Sequence, residues 1–171
     1  MAKIVGIIVA AGKGRRLGKN VPKCFVELNG TPILKYSVQT FMDSEVIEEI
    51  FIMVPSGWEN EAERLIKTSY GENIGRPFRV LTGGKRRVDT VKIALENLED
   101  SNTVVAIHDG ARVLLTTKIL DGAVRYFLGG KWDGVLTAIP VRDTVKLVEQ
   151  TIVVRTVPRQ NLWLAQTPQV C

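Results

Sequence analysis

Two cysteines and one histidine are the only thiol and imidazole metal ligands that the 171 residues offer. Cys24 and Cys171 stand in no CxxC or Cys/His cluster, so neither a disulfide framework nor a structural zinc site is expected, and a reducing cytoplasm is the simplest compartment. The roughly 20 consecutive apolar residues that would span a bilayer are also missing, which argues against a membrane protein. The apolar stretch Ile4 to Val9 follows a lysine but is too short for the core of a signal peptide and runs into glycines and arginines, so it reads as a strand and no export signal is expected. The length suits one α/β domain with a sizeable core and falls short of two of ordinary size.

Acid is absent from Met1 to Lys23, where six basic residues occur: Lys3, Lys13, Arg15, Arg16, Lys19 and Lys23. Base is absent from Asp43 to Glu63, which holds seven acids. The first segment looks like an anion-binding loop and the second like a solvated surface, although Lys3, Arg15 and Lys19 are individually also compatible with plain surface charge. A formal charge of +5 invites a nucleic-acid reading. The basic residues instead fall beside glycines, here and at Lys85-Arg86-Arg87, which favours a compact polyanionic ligand over a continuous nucleic-acid track.

Strand-like runs lie at Ile4 to Val9, Ile50 to Val54, Phe78 to Thr82, Thr103 to Ile107 and Gly134 to Ile139, mostly as unbroken β-branched stretches that suit strands buried on both faces. Between them, Leu34/Val38/Phe41, Ala62/Leu65/Ile66, Val88/Val91/Leu95 and Ile119/Ala123/Val124/Phe127 carry helical spacing. The alternation predicts a doubly wound, mostly parallel, Rossmann-like α/β sheet with helices on both faces and ligands at the carboxyl ends of the strands. Val145 to Glu149 and Ile152 to Val157 read as a hairpin arm about Gln150-Thr151, at roughly 141–160, that need not join the main sheet.

The first strand opens into AAGKGRRLGKNVPK. Ala10, Ala11, Gly12 and Gly14 are small enough for backbone amides to approach phosphate oxygens, while Arg16 and Lys23 can neutralise charge that amides alone cannot. The dinucleotide fingerprint GxGxxG and the GxxxxGK[ST] loop are both absent. Gly83, Gly84, Asp89 and Thr90 form a glycine turn before a helix, suited to a base edge or ribose, with helix capping an equal reading of Asp89 and Thr90. Asp109 follows a strand at the sheet's carboxyl edge, as an oxygen ligand for Mg2+ together with phosphates would. His108 reads as a structural histidine rather than a catalytic one, and Trp163 as packing rather than stacking on a ligand.

Five motifs, AAGKGRRLG with Val21-Pro22-Lys23, GGKRRVDT, HDGAR, PVRDTVK and PRQNLW, occur in order from Ile4 to Gln169. Together they closely resemble the 2-C-methyl-D-erythritol 4-phosphate cytidylyltransferases of the non-mevalonate isoprenoid pathway. The resemblance implies transfer of CMP from CTP to the phosphate of methylerythritol phosphate with release of pyrophosphate, by a cytoplasmic homodimeric transferase that uses magnesium. It implies Arg16 and Lys23 as catalytic residues flanking the α-phosphate. It implies Ala10, Ala11, Gly12, Gly14, Gly83, Gly84, Asp89 and Thr90 as nucleotide-binding residues, and Asp109 as the metal ligand. Arg112, Thr144 and Arg159 are implied as acceptor-binding residues, Arg159 reaching in from the partner's arm; Arg112 pairing with a nearby carboxylate, and an Arg142-Asp143 ion pair, are the plainer alternatives.

The sequence departs from the family pattern at Gly110, Val113 and Cys24, where alanine, proline and glutamine are usual, and it lacks the family's later Asn-Ile-Lys-like segment. A further C-terminal segment is therefore expected. A cytidylyltransferase for ribitol phosphate or another polyol phosphate shares the nucleotide loops, and a non-catalytic nucleotide-binding module would share the glycine loop.

Overall fold

The computed structural model describes residues 2–12, 14, 21–71 and 75–171. In chain order its elements are β1 (Ile4–Val9), a 3-10 turn (Lys23–Phe25), the short strands β2 (Glu27–Leu28) and β3 (Thr31–Pro32), α1 (Ile33–Met42), β4 (Glu49–Val54), α2 (Glu59–Tyr70), β5 (Phe78–Thr82), α3 (Arg87–Glu96), β6 (Val104–Asp109), α4 (Thr117–Leu128), β7 (Val135–Pro140), β8 (Val145–Glu149), β9 (Ile152–Val157) and β10 (Trp163–Val170). Six strands form the main sheet in the order β5-β4-β1-β6-β10-β7. The pairs β5/β4, β4/β1 and β1/β6 are parallel, and β10 runs antiparallel to both its neighbours.

The period-2 alternation of a strand divides this sheet into two cores. Ile4 and Ile8 of β1, Ile50, Ile52 and Val54 of β4 and Val104 and Ala106 of β6 face α1, α2 and α4, which contribute Leu34, Val38, Phe41, Ala62, Ile66, Leu120 and Val124. Val5, Ile7, Phe51, Met53, Val105 and Ile107 face the opposite way, against Ala94, Val91 and Ile93 of α3. Each large side chain so buried contributes on the order of 1.5–3 kcal/mol. The loops that follow β1 and β6 therefore leave from strands buried on both faces.

Among the described residues helices cover both faces, three on one side and one on the other, as the alternation of patterns implies. The strand expected at Thr103 to Ile107 is Val104–Asp109, so Asp109 is the last residue of β6 rather than the residue after it. The expected arm is present as a separate sheet of β8 and β9, its side chains largely exposed. No ion pair joins Arg142 to Asp143 among the described residues; the Arg142 carbonyl accepts a hydrogen bond from the Arg159 guanidinium instead.

β10 has no counterpart in the sequence reading. It carries Gln166-Thr167-Pro168-Gln169 in its middle, with a register break between Ala165 and Gln169. Neither alternation nor β-propensity marks such a strand, and a bulge is where an internal strand tolerates proline. Trp163, expected to pack, is instead 60% exposed on this strand.

Candidate functional site

Val9 and Asp109 are register partners at the carboxyl ends of β1 and β6. The three loops leaving this edge are pinned by backbone hydrogen bonds to carbonyls at the ends of neighbouring strands. Ala10 N–H donates to Met53 O at 2.8 Å, Gly83 N–H to Val54 O at 2.7 Å and Gly110 N–H to Val9 O at 2.9 Å. The result is a cavity of about 250 Å3 whose walls include Ala10, Ala11, Gly12, Gly14, Lys23, Gly84, Arg87, Thr90 and Asp109.

Two glycines set its shape. Gly14 has φ +61°, and a Cβ there would lie 2.8 Å from Cβ of Lys23, so glycine both adopts the turn and lets Lys23 close over the loop. A Cβ on Gly83 would lie 2.9 Å from Thr90 Cγ2 and would overlap Cβ of Ala11, so the glycine turn and the β1 loop touch backbone to side chain.

Strand parity decides the roles of the consecutive residues His108 and Asp109. His108 lies on the α1 side with its ring 5.8 Å from that of Phe41, fully buried. Its Nε2 donates to Arg112 O at 3.3 Å, which leaves Nδ1 to accept from the Thr167 hydroxyl at 2.8 Å. Burial pushes the imidazole pKa down to about 4, so the ring is neutral, as a structural histidine should be. Thr167 Oγ1 accepts in turn from the Asp109 N–H at 3.3 Å.

Asp109 lies on the other side, the one α3 covers. Arg87, first residue of α3, places Nε 2.8 Å from its Oδ1, and Arg112 places Nε 3.1 Å from its Oδ2. The guanidinium of Arg87 also donates to Gln169 Oε1 at 3.1 Å, and that of Arg112 to Gln166 Oε1. Burial of the carboxylate acts to raise its pKa, but the two guanidinium groups outweigh burial and hold it below the usual aspartate range. Asp109 is therefore an anion held between two cations at the floor of the cavity.

Of the residues expected to bind nucleotide, Ala10, Ala11, Gly12, Gly14, Gly84 and Thr90 line this cavity, with Lys23 and Asp109. Gly83 lies behind the wall. Asp89 is turned to helix capping: it accepts the Arg86 N–H at 3.1 Å and forms an ion pair with the Arg86 side chain at 2.6 Å. Thr90 accepts from Gly84 N–H at 3.0 Å and donates to Arg86 O at 3.1 Å, so its hydroxyl fastens the turn. Arg16 lies outside the described residues. Thr144 and Arg159 lie on the exposed arm and line no part of this cavity.

Arg87, Gln166 and Gln169 were not singled out from sequence. The run Lys85-Arg86-Arg87 marked a basic wall, but which of the three points at Asp109 depends on where α3 begins. The two glutamines sit on the strand that sequence did not reveal.

A second cavity, of about 750 Å3, opens beside the first and shares Ala111 with it. Arg112, Gln166, Thr167 and Thr137 supply its polar groups, and Val113, Leu114, Ile119 and Ile139 its apolar wall. Among the described residues no group of three or more histidine, cysteine, aspartate or glutamate side chains could hold a metal ion. Asp109 is the one carboxylate among the described residues that line the first cavity. No helix is long and apolar enough to cross a membrane among the described residues.

Residues 4–171 match the sequence model of the family described as 2-C-methyl-D-erythritol 4-phosphate cytidylyltransferase, IspD. Relatives of that name include a protein of Alkaliphilus metalliredigens, 38% identical over 170 residues, or 99% of this chain and 69% of the relative. One from Corynebacterium diphtheriae is 35% identical, covering 98% of this chain and 68% of the relative. Among solved structures, 4-diphosphocytidyl-2C-methyl-D-erythritol synthase of Anaerococcus prevotii superposes with a TM-score of 0.80 at 25% identity, covering 99% of this chain and 69% of that one. The Francisella tularensis 2-C-methyl-D-erythritol 4-phosphate cytidylyltransferase gives 0.78 at 28% identity, covering 99% and 72%.

Proposed function

The chain belongs to the 2-C-methyl-D-erythritol 4-phosphate cytidylyltransferase family, and from that membership we propose how its own residues carry CTP-dependent cytidylyl transfer in isoprenoid biosynthesis. A phosphate oxygen of methylerythritol 4-phosphate attacks the α-phosphorus of CTP. The bond from that phosphorus to the bridging oxygen breaks and pyrophosphate leaves. The attacking oxygen is already ionised, so the protein has no proton to remove; its task is to bring two anions together in line and offset their charge.

The observation that carries this reading is the convergence, around one cavity, of the β1 glycine loop, Lys23, the Gly83-Gly84 turn and Asp109. Backbone amides of Ala11 to Gly14 receive the triphosphate, Lys23 and Arg16 flank the α-phosphate, and Gly84 with its neighbours meets the cytidine. Asp109 would hold a magnesium ion, which supplies further neutralisation of the phosphates. The second cavity, with Arg112 and Thr167 at its polar end, lies on the acceptor side. Thr144 and Arg159 complete that side, Arg159 from the arm of a partner subunit in a homodimer, an arrangement supported by the exposed apolar strands of the arm, Ile152, Val153 and Val154 among them. Two free cysteines fit a cytoplasmic protein.

Pyrophosphate release, assayed with CTP, ATP, UTP and GTP against methylerythritol phosphate and Mg2+, tests the reading. Release is expected with CTP. Release from CTP with ribitol phosphate but not with methylerythritol phosphate would replace the acceptor, and no release with CTP would overturn the assignment.

A further inference from the structure

Both oxygens of the Asp109 carboxylate are occupied, and by different kinds of donor. Arg112 is a local partner, three residues beyond Asp109 in the chain, with its guanidinium also fastened to Gln166. Arg87 arrives from another element, 22 residues away in sequence, with its side chain 44% exposed at the cavity wall. Its other hydrogen bond goes to the neutral amide of Gln169. Its neighbour Arg86 is committed to Asp89. Arg87 is thus the residue of the basic wall that bridges the space for phosphates and the carboxylate beneath it.

A divalent cation approaching Asp109 in this arrangement meets an ion-paired carboxylate and two guanidinium groups. A triphosphate entering the same cavity meets a guanidinium whose planar fork matches phosphate oxygens better than it matches a single carboxylate oxygen. The amino end of α3, where Arg87 sits, favours the same anion.

We propose that Arg87 is a positioning residue that gates Asp109: it holds Oδ1 while the nucleotide site is empty and moves onto the phosphates of the incoming nucleotide, which releases the carboxylate to the metal. Nucleotide and metal then bind cooperatively, and a cation alone binds poorly. When pyrophosphate leaves, Arg87 returns to Oδ1 and loosens the metal. This rests on the reading of Asp109 as the metal ligand.

The test measures the two ligands separately on the whole protein. Mn2+ alone is titrated by electron paramagnetic resonance, and CTP alone by calorimetry in EDTA, for wild type, Arg87→Ala and Arg87→Lys. Removing one charge-assisted partner should tighten Mn2+ binding by roughly tenfold in Arg87→Ala and weaken CTP binding by roughly tenfold. Arg87→Lys, which keeps the charge and safeguards the fold, should fall between. A merely structural role would weaken both ligands or neither. Unchanged or weaker Mn2+ binding in both variants overturns the inference. Asp109→Asn separates this failure from that of the underlying reading: if it abolishes metal-dependent turnover while Arg87→Ala leaves Mn2+ affinity unchanged, only the gate is lost. If Mn2+ binding and turnover survive Asp109→Asn, the metal assignment falls and the gate with it.

Discussion

A methyl group on Gly83 would overlap the methyl group of Ala11. The β1 loop and the β5–α3 turn, which both contribute to the lining of the cavity, thus meet with no room for a single added carbon. Gly83→Ala should push the β5–α3 turn away from the β1 loop at a cost of about 1–3 kcal/mol, the range for overpacking. The expected outcome is a lower melting temperature together with a raised KM for CTP, read by thermal denaturation and steady-state kinetics. An unchanged KM would show that the wall does not depend on this contact.

Lys23 leads the 3-10 turn and lines the cavity beside Gly14. Lys23→Ala should lower kcat by about 10²–10³-fold, the scale for losing one group that stabilises developing charge, with little change in stability. Pyrophosphate release and circular dichroism on the same sample check both halves of this expectation.

Pairing two inactive variants reads whether the arm crosses to a partner. In a mixture of Lys23→Ala and Arg159→Ala, each heterodimer would own one site with both native residues, so activity should return to about one quarter of wild type if random exchange occurs. An arm that serves its own subunit would restore none.

Thr167→Val keeps the shape of the side chain but leaves His108 Nδ1 and the Asp109 N–H without their shared partner. An unsatisfied buried polar group costs about 1–3 kcal/mol. For a chain of this size that lowers the melting temperature by about 2–4 °C per kcal/mol, measurable by calorimetry.

Cys24 is buried against the cavity, and burial pushes its thiol pKa up to about 12 from an ordinary 9.0. The folded protein therefore holds this proton more tightly than the unfolded chain. The resulting stability is fully present below pH about 9 and is lost as pH rises towards about 12. At pH 8 the native Cys24 should resist iodoacetamide and become alkylated on denaturation, as peptide mass mapping would record.

The parallel half of the fold was legible because β1, β4 and β6 are buried on both sides and so carry unbroken apolar runs, and the phase of each helix repeats its buried stripe. The glycine loop and Asp109 were legible for a related reason: a strand end followed by small residues and an acid leaves its mark on consecutive positions. Arg87, Gln166, Thr167 and Gln169 were not. They reach Asp109 through β10 and the start of α3, and that proximity is a property of sheet order, which no local window contains. The capping contacts of Asp89 likewise emerge only once the Arg86 N–H is seen to point at its carboxylate.

The insertion of β10 between β6 and β7 also sets a timetable for the nascent chain. β6 and β7 are nearer in sequence to each other than either is to the register that joins them, where Gln169 faces both Ile107 and Leu136. Until that late strand leaves the ribosome, β7 has no neighbour in the sheet and β6 keeps a bare edge. Contacts of such long sequence separation form slowly and leave strand edges open to other chains meanwhile. The part of the site built from β1, β5, α3 and β6 can form early, and Gln166, Thr167 and Gln169, which brace Asp109 and its two arginines, arrive last.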